Sequence, residues 1–252
     1  MIQLIHKVKL FRIIAKIVAA NIILFQKFYG GRIYFNAVDH SWAWTNNTRF
    51  QNFDKYLQTK IISLSYTNEI FIDIGCNVGG IGLGVMLSNK SIQAIFIDAN
   101  KKAIKCLNRS IAYNKLHDRS KIINTVANCN TEVVNFSTLG SVIGHVNKNG
   151  KEKIASINIW KLLNDFEPSK KILVKIDIEG FETELFGEGF ITPQSDNISF
   201  LIELHPKGFN NLGNPMYCLS KLQQYGYKSF DLEGQEINEV STDQISQIIF
   251  KK

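Results

Sequence analysis

The chain has 252 residues, 45 % hydrophobic and 20 % charged, with a formal net charge of +7. These are ordinary globular values, and the length suits one large α/β domain or a domain with an appendage. Four scattered cysteines (Cys76, Cys106, Cys129, Cys218) with no C-x-x-C pair argue against a zinc ribbon or a disulfide scaffold and fit a reducing, cytoplasmic compartment.

The charge is unevenly placed. Residues 1–38 contain Lys7, Lys9, Arg12, Lys16, Lys27 and Arg32 and no acid, so they carry +6 and the rest of the chain +1. A nearly neutral body is not a nucleic-acid footprint. No stretch approaches the ~18 uncharged apolar residues of a membrane span.

In residues 1–29, Ile5, Val8, Phe11, Ala15 and Val18 give a helical apolar stripe, with cations free to share the other side. This predicts a basic amphipathic helix. Two readings stay open: a helix covering its own domain or a partner subunit, and one making peripheral contact with an anionic membrane surface. A signal peptide fits less well, because the charges run into the apolar region without a clean cleavage site. Gly30-Gly31 closes the segment. Residues 36–49, with Trp42 and Trp44, read as an irregular lead-in or lid. Residues 50–64 read as a helix with Phe53, Tyr56, Leu57 and Ile61 on one face. The chain then divides into residues 1–50, helix and lead-in, and 51–252, the α/β domain.

Residues 70–74 are a β-branched apolar run broken by Asp73, followed by Gly75-Cys76-Asn77-Val78-Gly79-Gly80 and a small apolar segment. A buried parallel strand, a tight glycine turn and a helix start have this form. In an open α/β sheet, ligands bind outside the carboxyl ends of strands, where this turn sits. A dinucleotide fingerprint needs glycine at position 77, so that backbone can approach a pyrophosphate; Asn77 fills that space. A ligand without phosphates needs no such approach, and S-adenosylmethionine (SAM) is one. A second apolar strand, 92–97, ends in Asp98, about 20 residues past the glycines and placed to accept hydrogen bonds from two ribose hydroxyls. A generic doubly wound sheet with a structural turn is the alternative.

Asn100 can cap a helix running to about residue 116, with Ala103, Ile104, Leu107, Ile111 and Ala112 at core spacing. Residues 122–127 form a third strand and 133–136 a short fourth. Residues 137–153 are the least ordered, and 157–163 start a helix before the break at Pro168. Then come a buried strand (172–178), a helix (181–186), a strand (198–204) and a helix (215–225) with Pro215 in its first turn. Residues 227–232 and 247–250 close the chain as an antiparallel pair. The alternation predicts a seven-stranded, doubly wound open sheet with helices on both faces.

The second informative stretch is Lys175-Ile176-Asp177-Ile178-Glu179-Gly180-Phe181-Glu182. Asp177 and Glu179 share a face if the strand continues through them, with Glu182 on the next turn. A carboxylate near a helix start is favoured by the dipole, which is the structural reading of Glu179. The neighbouring strand delivers Glu203 and His205 at its own carboxyl end. Adjacent strands that both end in ionisable residues are what proton removal or metal binding requires. His205 as a polar surface residue is the plainer alternative. Oxygen-rich ligation by Asp177, Glu179 and His205 would suit Mg²⁺ or Mn²⁺, but the spacing is not diagnostic and no metal is assigned.

The chain resembles the FkbM family of SAM-dependent methyltransferases. The carriers are Asp73-Ile74-Gly75-Cys76-Asn77-Val78-Gly79, similar to D-x-G-A-N-x-G; the octapeptide from Lys175, similar to K-x-D-x-E-G-x-E; and Glu203-Leu204-His205, similar to an E-x-H segment. The resemblance implies a class I, Rossmann-like α/β fold and O-methylation. It implies SAM contacts at Asp73, Gly75, Asn77 and Gly79, ribose recognition by Asp98, and Asn128 near the adenine. Asp177 and Glu179 would face the methyl group and the acceptor; with His205 they form the edge where an acceptor hydroxyl is expected to bind, one carboxylate or the imidazole taking its proton. The usual alanine is Cys76 here, and residues 1–50 lie outside the resemblance. A hydroxyl on a sugar, glycan or glycolipid is the acceptor expected. A SAM- or nucleotide-binding module without catalysis, serving a membrane-bound glycan assembly, is the alternative, and an NAD-type oxidoreductase is disfavoured by Asn77.

Overall fold

The computed structural model describes residues 21–45, 48–139, 143–146, 152–206 and 213–252. Most of the helix expected over 1–29 therefore lies outside the described residues. Its last part is not helical: Ile23–Phe28 (β1) pairs antiparallel with Gly31–Asn36 (β2). Tyr29 and Gly30 between them both have positive φ, 45° and 80°, the signature of a two-residue hairpin turn matched to strand twist. The hairpin is latched to the body by side chains of a later helix: Asn114 Oδ1 accepts from Arg32 N (2.9 Å) and Ser110 Oγ from Tyr34 N (2.9 Å).

Within residues 36–49, Trp42–Thr45 forms one short helix (α1). Trp42 packs on Phe50 and stacks on Phe53, with centroids 4.8 Å apart in each pair. Helix Lys55–Ser65 (α2) buries Leu57 and Ile61 as expected. Phe53 and Tyr56, assigned to the same face, are instead 57 % and 55 % exposed. A turn separates Phe53 from the helix, and Asp54 takes a left-handed conformation at its start.

The body alternates Ile70–Ile74 (β3), Gly80–Ser88 (α3), Gln93–Ile97 (β4), Lys101–Tyr113 (α4) and Ser120–Ile123 (β5). An excursion follows: Val126–Asn128 (β6), Val133–Leu139 (β7), Ile143–Val146 (β8), Glu152–Asn158 (β9) and Ile159–Asn164 (α5). The chain returns through Ile172–Ile176 (β10), Ile198–Leu204 (β11), Pro215–Gln224 (α6), Lys228–Phe230 (β12) and Ser246–Lys251 (β13).

Seven strands form the main sheet in the order β12-β13-β11-β10-β3-β4-β5, all parallel from β11 to β5, with β13 antiparallel against β11 and β12. This is the expected seven-stranded α/β sheet with its closing antiparallel pair. Two expectations about the excursion are corrected. Residues 122–127 are not one strand, because the chain leaves the main sheet after Ile123 and enters a separate four-stranded sheet, β6-β9-β7-β8. Residues 133–136 belong to that second sheet, and the stretch read as least ordered carries the end of β7, all of β8 and the start of β9.

Alternation along β10 shows how the core is divided. Leu173 faces a layer with Phe71, Leu83, Phe96 and Leu107, under α3 and α4. Ile172, Val174 and Ile176 face the other layer, with Trp160, Phe186 and Leu219. Strand order reverses between β3 and β10, which makes the gap between their carboxyl ends the switch point where ligands bind in open α/β sheets. Among the described residues, no helix is long and apolar enough to cross a membrane.

Candidate functional site

The turn after β3 is held from both sides. Gly75 N and Cys76 N donate to Ile97 O at 2.9 and 3.2 Å, which ties the turn to the end of β4. Gly75 has φ +75°, and its α-carbon lies against the carbonyl of Asp177, leaving no room for a side chain. Asn77 also takes a positive φ (49°), a conformation Asn tolerates better than most residues. Its backbone N–H donates to Asp98 Oδ2 at 2.7 Å, while Asp98 Oδ1 accepts from Asn100 N at 2.7 Å. Asn100 caps α4, its side chain accepting from Lys102 N and Ala103 N. Burial pushes the Asp98 carboxyl up to about 6 against the lowering effect of the two amides. One contributor had no signal in the sequence: His40, 3 % exposed, reaches in from the lead-in and hydrogen-bonds the Asn77 side chain. Burial lowers His40 to about 4, so it is neutral at physiological pH.

A cavity opens at the switch point. Gly75, Asn77 and Asp98 line one side, Asp177 and Glu179 the other, and Val126 and Phe136 of the second sheet close it. Val126, Phe136, Ala99 and Phe181 belong to a small apolar cluster that joins the second sheet to the cavity wall. Among the described residues, the lining holds three carboxylates (Asp98, Asp177, Glu179) and no Lys, Arg or His.

Of the six residues expected to contact a cofactor, Gly75, Asn77 and Asp98 line this cavity; Asp73, Gly79 and Asn128 do not. Asp73 is 0 % exposed, and its Oδ2 accepts from Gly82 N at 3.0 Å, pinning the first turn of α3. Gly79 is the left-handed residue that starts α3, packed on Leu107. Asn128 lies in the second sheet, where its amide donates to Glu132 Oε1 and its oxygen accepts from Cys129 N. Because the main-sheet strand stops at Ile123, Thr125, Val126 and Ala127 take the cavity position instead.

The carboxylate end is built on β10 and β11. Lys175 lies beside Asp73 in the parallel register and is 3 % exposed. Its Nζ is 3.1 Å from Asp177 Oδ2 and 3.7 Å from Asp73 Oδ1. Burial works against the ammonium, but Asp177, Asp73 and Glu203 outweigh it and hold Lys175 firmly charged. Strand β10 ends at Ile176, so Asp177 and Glu179 do not share a face by strand alternation. Glu179 sits on a left-handed turn (φ 58°) with Gly180 (φ 93°), which brings its carboxylate to the cavity and within 3.5 Å of His205 Nε2. Burial, then the Asp177 charge, raise Glu179 to about 7.

His205 does not line the cavity; it stands behind Glu179, 2 % exposed. Its Nδ1 is 3.0 Å from Glu182 Oε1, which also accepts from Ile178 N and Gly180 N. Burial lowers the imidazole's proton affinity, but Glu182, Asp177 and Glu179 carry it back up to about 9. Glu203 completes the group, with Oε1 3.8 Å from His205 Nε2 and Oε2 accepting from Gln247 at 2.8 Å. Lys175, Glu182 and Glu203 stand in the motifs read from the sequence, which gives them no individual role; the structure makes them the partners of Asp177, His205 and Gln247.

No protein-family model and no curated protein matches this chain, so the motif resemblance has no counterpart there. Among solved structures, P. horikoshii TYW2 in complex with MeSAdo aligns over 90 % of this chain and 69 % of its own, at 13 % identity and a TM-score of 0.48. M. jannaschii TYW2 in complex with AdoMet aligns over 90 % and 84 %, at 12 % identity and a TM-score of 0.46. An O-methyltransferase family protein from Burkholderia thailandensis aligns over 86 % and 63 %, at 10 % identity and a TM-score of 0.47.

Proposed function

We propose that this chain is a SAM-dependent methyltransferase that transfers the methyl group to a hydroxyl of a sugar, glycan or glycolipid. The observation that carries the reading is the charge of the cavity: three carboxylates and, among the described residues, no cation in its lining. Such a site favours a ligand bearing a sulfonium and an ammonium and disfavours a pyrophosphate. The adenosine half fits the other end. Asp98 retains lone pairs for ribose hydroxyls beyond its two amide bonds, and Ala99, Val126 and Phe136 offer apolar walls to a purine.

In this mechanism the acceptor oxygen attacks the methyl carbon in line with the carbon–sulfur bond. That bond breaks, its electron pair stays on sulfur as S-adenosylhomocysteine (SAH), and the hydroxyl proton passes to a carboxylate. Glu179 is the group for that proton, since it is on the cavity wall with His205 fixed behind it. Asp177, anchored by Lys175, orients the acceptor. Orientation supplies most of the acceleration, because the sulfonium carbon is already electrophilic. His205, positively charged near neutrality, supports Glu179 electrostatically and does not act as the base.

Calorimetric titration with SAM, SAH and NAD tests the binding half. SAM and SAH should bind, SAM the more tightly for its charge, and NAD should not. Radiolabelled methyl transfer to a panel of polyols and glycans tests the chemistry, and Glu179→Gln should retain SAH affinity while losing about 10²-fold or more in turnover. NAD binding would overturn the cofactor assignment. SAM binding without transfer to any hydroxyl acceptor would favour a binding module.

A further inference from the structure

We propose that the outer face of α4 and the adjoining face of the β1–β2 hairpin dock this protein on an anionic lipid bilayer. Of the net charge of +7, residues 1–38 carry +6 and residues 99–117 carry +5, so the remaining chain stands at −4. The second group is five cations, Lys101, Lys102, Lys105, Arg109 and Lys115, with no acid among them. Positive charge is therefore gathered on one helix and its neighbours, while the cavity lining is acidic.

The fold makes one surface of these residues. Helix α4 buries Ala103, Ile104, Cys106, Leu107 and Ile111, and leaves Lys101, Lys105, Arg109 and Tyr113 exposed at four-residue intervals. That spacing is a single ridge, about 18 Å long at about 1.5 Å per residue. The ridge continues onto the hairpin. Phe25 pairs across the strands with Tyr34, and Lys27 with Arg32, which puts all four on one face, opposite the buried Phe28, Ile33 and Phe35. Arg32 lies over the rings of both Phe25 and Tyr113, its guanidinium carbon 4.3 Å from each centroid. Among the described residues, no carboxylate stands within 4 Å of Lys101, Lys105, Arg109 or Arg32. Asp39 partly offsets Lys102 at the start of the helix, so Lys102 is left out of the ridge.

The apolar side chains on this surface favour a bilayer over another polyanion. Phe25 is 50 % exposed and Tyr113 47 %, and both stand among the cations. Cations interspersed with exposed aromatic side chains suit the boundary between lipid headgroups and acyl chains. A nucleic acid would stack its bases on ring faces, and the Arg32 guanidinium already covers one face of each ring. The sequence ahead of β1 continues the pattern, with Lys7, Lys9, Arg12 and Lys16 set among Ile, Leu and Val without an acid. The ridge starts at the cavity, because Asn100 lines it and Lys101 is the next residue. A lipid-borne acceptor would thus be presented at the cavity edge. That consequence rests on the methyl-transfer reading; the surface itself does not.

The test sediments the full chain with sucrose-loaded vesicles at about 0.1 M salt. Phosphatidylcholine vesicles containing about one-third phosphatidylglycerol should carry the protein down, and pure phosphatidylcholine vesicles should not. Lys105→Glu combined with Arg109→Glu should weaken the partition at least about 20-fold, since one cation near an anionic surface is worth about fivefold. Phe25→Ser should weaken it about tenfold through lost apolar contact. Circular dichroism melts and SAH titration of each variant, which these surface changes should leave unaltered, check that it is folded. Absence of sedimentation with the anionic vesicles overturns the proposal. So does a partition unchanged in either variant, the residues ahead of β1 then making the whole contact. Displacement from the vesicles by an equal phosphate concentration of a single-stranded oligonucleotide overturns it in favour of nucleic acid. SAH binding without vesicle binding removes the docking surface and leaves the methyltransferase, and the converse result does the reverse.

Discussion

Replacing Gly75 by alanine strikes the joint between the glycine turn and the carboxylate strand, and Gly79→Ala is its natural control. Both residues have left-handed backbone, φ +75° and +85°. An added side chain therefore costs about 1–2 kcal/mol at either position before any contact is considered. The surroundings differ. At Gly75 the new Cβ would lie 1.7 Å from the Asp177 carbonyl oxygen, which is backbone at the end of a central strand. At Gly79 it would lie 2.6 Å from Leu107 Cδ1, the far end of a side chain that can turn. Forcing two backbone segments apart adds the overpacking cost of about 1–3 kcal/mol, giving about 2–5 kcal/mol for Gly75→Ala. Gly79→Ala should stay near the lower figure. Urea unfolding at constant m-value reads the difference as a shift in midpoint. SAH affinity should fall in Gly75→Ala beyond what lost stability explains, because Asp177 moves with its carbonyl. Equal midpoints for the two variants would refute the reasoning.

Asp98 gives a pH dependence. Its folded value of about 6 lies above the ordinary carboxylate value of 3.8, so its stability contribution is fully present below about pH 4 and is lost as pH rises through 6. The loss is up to about 3 kcal/mol. Ribose hydroxyls prefer the ionised form, so SAH affinity measured by calorimetry should rise through pH 6, and Asp98→Asn should abolish that rise; a flat profile in the unaltered protein counts against the ribose role. Lys175→Met leaves the carboxylates of Asp73 and Asp177 without their buried cation and should cost about 3–5 kcal/mol at pH 7 in urea unfolding. An unshifted midpoint would mean the ion pairs are energetically idle. Asn114→Ala removes both bonds to Arg32 backbone and should cost about 1–3 kcal/mol, with faster amide exchange in β2 than in β3. Uniform acceleration in both strands would show that the hairpin is not a separable unit.

The central strands and closing pair were legible because their signals are local. Ile70–Ile74 and Ile172–Ile176 are runs too apolar to sit anywhere but the middle of a sheet, and both are buried throughout. The β1–β2 hairpin was not legible, because Ile23-Leu24-Phe25 extends an apolar helical stripe and the deciding residues, Tyr29 and Gly30, act only through their positive φ. The second sheet was hidden for another reason. Asn124 and Thr125 alone separate β5 from β6, and no period distinguishes a strand that continues from one that leaves the sheet. Within the site, residue types were readable and directions were not. Asp73 is a carboxylate at a strand end, yet it serves the first turn of α3. Glu179 reaches the cavity because the strand stops at Ile176, two residues short of its expected end, and Glu179 and Gly180 then take a left-handed turn.

The two motifs behave as one object, and this explains why their residues divide as they do. The Asp177 carbonyl fills the space where a Gly75 side chain would be, and the Lys175 ammonium lies between Asp73 and Asp177. Asp98 in turn holds the Asn77 backbone. Each acid that faces inward is thus matched by a cation or by backbone donors: Asp73 by Lys175 and Gly82, Asp98 by Asn77 and Asn100, Glu182 by Ile178, Gly180 and His205. Lys175 is shared, so its charge is partly spent on Asp73 before it reaches Asp177. The negative charge on this wall of the cavity is therefore chiefly that of Asp177, with Glu179 beside it, where a cationic cofactor can meet it. Asp73→Asn should consequently draw Lys175 closer to Asp177 and weaken SAM binding, although Asp73 does not line the cavity.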